Sequence, residues 1–150
     1  MGQGKRKYLR LAFALILGVP ATVLFLASLL RPPAGETSGF IDPVLSALCH
    51  RIPSRCLSTP WGVTGLCGRC TFFWFGLAAG SFVLYHRQVV IPLPAGVILV
   101  LTMIADGLMQ NIGLYDSAIL RLATGLAAGT GIAAIFLGGG RNRLENSTDT

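Results

Sequence analysis

The chain reads as an all-α, four-span transmembrane helical bundle with a short interfacial helix in its outer loop. Three observations carry that reading. Hydrophobic residues make up 53% of the 150-residue chain and charged residues 12%, about half the charge of an ordinary soluble domain. The charges are segregated: Leu11 to Leu30 holds no ionisable residue, and such a stretch at 1.5 Å rise reaches roughly 30 Å, one bilayer core. Four apolar runs of helical length follow one another, with basic residues gathered at their ends.

The first span is expected over residues 8–30, with Pro20 as a kink point. Its basic lead, Lys5-Arg6-Lys7, resembles the start of a signal peptide. The apolar run is longer than the roughly 7–15 residues of a signal's core, and no small-x-small cleavage site follows, so an uncleaved helix is favoured. The second span is expected over 70–85. The third, over 91–112, has Pro92 and Pro94 in its first turn, where proline is tolerated. The fourth, over 117–137, is expected to end at Gly138-Gly139-Gly140. Residues 31–69 form an outer loop and 138–150 a tail, all within one membrane domain. In the loop, Asp42 reads as an N-cap and Pro43 as a first helical residue. Val44, Leu45 and Leu48 then suggest a short helix on the bilayer surface. Pro53 stops it, and Cys49 and His50 fall in its last turn.

Lysine and arginine counts set the orientation. Four spans put both termini on one side, with Lys5, Arg6, Lys7, Arg10, Arg87, Arg141 and Arg143. The other side holds Arg31, Arg51, Arg55, Arg69 and Arg121. The bias places both termini in the cytoplasm, the loop outside, and the protein as a multi-pass component of the cell inner membrane. A net charge of +6 would suggest nucleic acid on a soluble chain. Here the basic residues flank apolar runs and no basic patch carries interleaved aromatics, so nucleic acid is excluded. The partner is the lipid bilayer, with a small-molecule or lipid substrate; oligomerisation is left open.

Gly-Leu-Ala-Ala-Gly occurs twice, at Gly76–Gly80 and Gly125–Gly129. Both copies read as small-residue packing faces of spans two and four.

All four cysteines lie in one stretch: Cys49, Cys56, Cys67 and Cys70. Cys67-x-x-Cys70 stands where the loop becomes the second span, so a helix N-terminus and neighbouring arginines favour thiolates there. Asp106 and Gln110 share one face of the third span. Asp106 lies about 22 Å along it, in the outer half of the bilayer. Arg121 opens the fourth span from the same side and could pair with Asp106, which would lower the cost of burying both. Ionisable groups inside a span are costly and therefore functional candidates. Three segments thus place thiols and polar groups at one depth, and Asp106, Gln110, Arg121, Arg55 and Arg69 are the candidate catalytic residues.

The pattern Cys-His-x-x-x-x-Arg, Cys-x-Arg-Cys-Thr, Asp-Gly-x-x-Gln and Leu-Arg-x-x-Thr-Gly resembles a family of small prokaryotic membrane proteins known as domain of unknown function 2085. The matching positions are Cys49, His50, Arg55, Cys67, Arg69, Cys70, Thr71, Asp106, Gly107, Gln110, Arg121, Thr124 and Gly125, so the resemblance covers residues 49–129. Cys56 departs from it, since a serine-like residue is expected there. The resemblance implies a membrane protein and no particular activity.

Cys49, His50, Cys67 and Cys70 form a donor set of three thiols and one imidazole suited to tetrahedral zinc or iron. A closed set would be structural; an open one near Asp106 would serve a metalloenzyme. The alternative is thiol–disulfide chemistry passing electrons to a quinone, similar in arrangement to vitamin K epoxide reductase, with Phe72, Phe73, Trp74 and Phe75 lining the quinone site. A third reading is a small-ion transporter lined by Asp106, Gln110 and Arg121. The plainer readings are two structural disulfides, a solvated His50, an interfacial aromatic belt, a purely architectural Asp106, an inner-face anchor at His86 and Arg87, and a meaningless glycosylation acceptor at Asn146-Ser147-Thr148.

Overall fold

The computed structural model describes residues 3–30, 41–49, 53–60, 62–87, 89 and 91–145. The side chains of 3–6, 41–42, 53, 59 and 139–145 lie outside that description. So do His50, Arg31, Arg51 and the acceptor at Asn146.

The chain is mostly helical. In order it forms α1 (Gln3–Leu29), α2 (Ile41–Leu48), a 3₁₀ turn (Pro53–Arg55), strands β1 (Cys56–Thr59) and β2 (Gly62–Cys67), then α3 (Gly68–Arg87), α4 (Leu93–Asn111) and α5 (Ala118–Glu145). Among the described residues, three helical stretches are long and apolar enough to cross a membrane: Lys7–Leu29, Leu93–Asn111 and Ala118–Gly138. These match the expected first, third and fourth spans. α3 is as long but more polar, carrying Arg69, Thr71, Ser81, His86 and Arg87. It lies between α1 and α5, and α4 packs on α5. Thr71 and Ser81 are fully buried there, so α3 turns much of its polarity toward protein. Large apolar side chains remain exposed along α1, α4 and α5, among them Ile16, Val23, Ile98, Leu101, Ile104 and Leu108. A surface so apolar suits lipid rather than water.

Helix directions follow from what touches what. Arg10 of α1 meets Leu84 of α3, while Phe25 meets Phe75, so α1 and α3 are antiparallel. α3 and α5 run parallel, and the duplicated Gly-Leu-Ala-Ala-Gly segments are their seam. A Cβ on Gly76 would strike the Leu126 backbone, one on Gly125 the Arg69 carbonyl, and one on Gly129 the Phe73 carbonyl. Small residues thus let the two backbones approach, as small-xxx-small faces do. Gly96 and Gly131 make the corresponding close approach between α4 and α5.

Four expectations are corrected. The protein is not purely all-α: β1 and β2 form an antiparallel hairpin pairing Cys56 with Cys67, Ser58 with Val63 and Thr59 with Gly62. Gly62, at φ 119°, takes a turn conformation that L side chains avoid. A bulge lies between Cys56 and Ser58. The Leu57 N–H it displaces donates to Thr64 Oγ1 at 3.0 Å, and the Thr64 hydroxyl donates to the Leu66 carbonyl at 2.8 Å. Second, α2 begins at Ile41, so Asp42 sits in its first turn instead of preceding it. Third, Cys49 follows α2 directly, held by a helical bond from its N–H to the Leu45 carbonyl at 3.1 Å. Fourth, Gly138-Gly139-Gly140 does not end α5, which continues to Glu145. A Cβ on Gly138 would stand 2.8 Å from the Ile91 carbonyl, so this glycine serves close packing rather than termination.

Candidate metal centre and polar network

Three elements deliver the thiols. Cys49 directly follows α2, β2 ends at Cys67, and Cys70 lies in the first turn of α3. Their Sγ atoms all lie within 4.8 Å of one another. The floor beneath them is apolar: Leu45 and Leu66 are fully buried, and Leu24 and Trp74 pack against them. The Cys67 N–H donates to Cys49 Sγ at 3.5 Å, an interaction that stabilises a thiolate. The start of α3 adds its positive dipole end.

Zinc–sulfur bonds of about 2.3 Å at a tetrahedral angle put sulfurs roughly 3.8 Å apart, so the cluster needs only a small contraction to hold such an ion. The donor chemistry fits as well. The Cys67 thiol is pushed above its ordinary value, first by its hydrogen bond with Cys49 and also by burial, while Cys70 pulls the other way. Three crowded sulfurs resist ionising together, and a divalent cation supplies the opposing charge. One disulfide could join only two of them. His50, the next residue in the chain, lies outside the described residues.

A polar network lies inside the bundle, linked to the thiol segment through Arg69. Asp106, on α4, is 5% exposed. It pairs with Arg69 across 2.6 Å, so the Asp106–Arg121 pair that the sequence allowed is not formed. Gln110 Nε2 donates to Asp106 Oδ1 at 2.9 Å, Thr124 Oγ1 to Oδ2 at 3.0 Å, and the Tyr115 hydroxyl to Oδ1. Arg121 pairs instead with Asp116, and its Nη1 reaches Gln110 Oε1 at 3.5 Å. The physical reason is rotation about the helix axis. Spacing along the chain fixes depth, but Arg69 and Arg121 share that depth, and α3 turns Arg69 toward α4. The Arg69 guanidinium lies over Gly107, where a Cβ would stand 2.8 Å from its Nη1.

Cys49, Cys67 and Cys70 therefore converge, and Asp106, Gln110, Arg69 and Arg121 form a second, linked group. Arg69 joins the two, since it lies between Cys67 and Cys70 in the chain. Arg55 is half-buried in the 3₁₀ turn, its carbonyl 3.7 Å from where a Cβ on Gly68 would stand. Among the described residues it is not one of the donors to Asp106. Cys56 stands opposite Cys67 in the hairpin. The aromatic run is used in packing: Phe75 rests on Phe25 with ring centres 5.1 Å apart, and Trp74 lies on the thiol floor.

Sequence reasoning missed Tyr115 and Asp116 as site residues. Both lie in the α4–α5 connection, where no periodicity marks a face. Thr124 stands three residues beyond Arg121, on the same face of α5, and that spacing was a usable signal. Tyr115's phenol is held above its ordinary range, chiefly by the hydrogen bond it gives Asp106.

The family described as "Predicted membrane protein (DUF2085)" matches residues 49–135, a segment containing the three-thiol cluster and all of the network. An "Uncharacterized protein" of Methanothermobacter thermautotrophicus is 32% identical over 96 residues, covering 59% of this chain and 83% of that one. No solved structure matches the chain.

Proposed function

The chain belongs to the DUF2085 family of predicted membrane proteins, and from that footing we propose that it is a membrane metalloprotein. Cys49, Cys67 and Cys70 hold a zinc or iron ion at the outer face, adjoining the Asp106 network. The observation that carries this reading is the convergence of three sulfurs from three elements within 4.8 Å. His50 or a substrate atom takes the fourth position. When bound, the ion acts as a Lewis acid. The chain's own residues do the rest. Arg69 pairs with Asp106, Gln110, Thr124 and Tyr115 fix its orientation, and Arg121 with Asp116 closes the network on its far side.

In this reading α3 is a fourth span, both termini are cytoplasmic in the cell inner membrane, and α2 lies along the outer interface. The buried Thr71 and Ser81 support a spanning α3, because its polar groups meet protein and not lipid.

A second reading is favoured by one observation, the placement of Cys56 opposite Cys67. Two thiols going to one disulfide would pass two electrons and two protons to a quinone. Metal analysis of protein purified without chelator separates the two. One zinc or iron per chain, lost in Cys67→Ser, supports the metal site. Metal-free protein whose disulfides form as a quinone is reduced replaces it with the redox reading.

A further inference from the structure

We propose that the end of the bundle remote from the thiols binds one anionic phospholipid. Two cavities meet there and share Tyr85. The first, about 320 Å³, is lined by Lys7, Arg10, Tyr85 and His86. The second, about 440 Å³, is an apolar groove between α1 and α3 whose walls include Leu15, Val19 and Val23 on one side and Ala78 and Phe82 on the other.

The two ends are distinct. Arg10 donates to the Leu84 carbonyl at 3.4 Å, whereas Leu24, further along α1, packs at the thiols. From Cys70 to Tyr85 α3 rises about 22 Å. The groove extends along α1 from Leu11 to Val23, about 18 Å, which matches the roughly 15 Å depth of one leaflet's acyl chains. Its mouth is basic. Of the carboxylates whose side chains are described, Asp106 and Asp116 both belong to the opposite end, and where α5 ends at this one, Glu145 is accompanied by Arg141 and Arg143. A positive head pocket opening onto a leaflet-deep apolar groove selects a ligand with a negative head and an acyl tail, and charge complementarity commits it to an anionic phospholipid. Neither half alone does so: a free phosphate would leave the groove unused, and a zwitterionic lipid would gain little from the head pocket.

Native mass spectrometry of the full chain in mild detergent tests this. The ligands are phosphatidylglycerol, phosphatidylcholine with the same acyl chains, and inorganic phosphate. Phosphatidylglycerol is expected to bind about tenfold more tightly than phosphatidylcholine. Lys7→Gln with His86→Gln should reduce that preference severalfold, Arg10 remaining in the pocket, and Ala78→Phe, which fills the groove, should weaken both lipids. Both head residues are exposed, so the double variant keeps the test decisive even if Ala78→Phe fails to fold. Equal binding of the two lipids, a preference undiminished by the double substitution, or inorganic phosphate binding as tightly as phosphatidylglycerol each overturns the proposal.

Discussion

Asp106 is a carboxylate enclosed by a helical bundle and held by four donors, one of them charged. A buried ion pair gains little over apolar packing, but breaking it by removing one partner costs about 3–5 kcal/mol. Arg69→Met should therefore destabilise the protein by about 3 kcal/mol, at the low end because three donors remain. Adding Asp106→Asn to that variant should recover part of the loss, since no uncompensated charge is left. Denaturation of both variants in detergent checks the pair; a double variant less stable than Arg69→Met alone would mean that Asp106 is held chiefly by its neutral partners. Tyr115 supplies a pH test. Its neutral phenol is the donor, and its folded value is raised by Asp106. The stability it contributes is fully present below the unfolded value of about 10 and is lost as pH rises through the higher folded value. The melting difference between wild type and Tyr115→Phe should accordingly shrink at alkaline pH. In an absorbance titration, Tyr115→Phe should remove a phenol that ionises above the ordinary range.

At the scale of elements, the α3–α5 seam depends on glycines that admit the neighbouring backbone. Gly129→Val places a branched side chain against the Phe73 carbonyl and Leu77 N–H. Overpacking of this kind costs about 1–3 kcal/mol where side chains can yield, and here the obstacle is backbone. The variant should lose at least that much, read as a lowered melting temperature or failure to recover folded protein. An unchanged melting temperature would show that the helices do not pack as described. The long helices and this seam were legible in the sequence, because apolar length and small-residue spacing are local properties. The hairpin was not. Its strands of four and six residues are broken by a bulge, so no clean alternation marks them. The turn around Pro60 and Gly62 was the available signal. The partner of Asp106 was misread for a different reason: spacing gives depth along a helix, and only tertiary packing decides which of two arginines at that depth faces the carboxylate.

At the scale of the whole molecule, three unlike elements end at one point. A short helix, a strand and the first turn of a long helix each bring one sulfur to an apolar floor, and the arginine between two of those cysteines reaches into the bundle to Asp106. The cysteine spacing made Cys67 and Cys70 legible as a pair. The sequence also put Cys49 in one donor set with them; what it did not show is the loop fold that brings Cys49 there, with Leu45 and Leu66 packed together. The most direct test of the metal assignment is X-ray absorption at the metal edge of the purified protein. Three sulfur ligands at about 2.3 Å are predicted, and a metal-free protein, or a first shell made only of nitrogen and oxygen, would contradict the account.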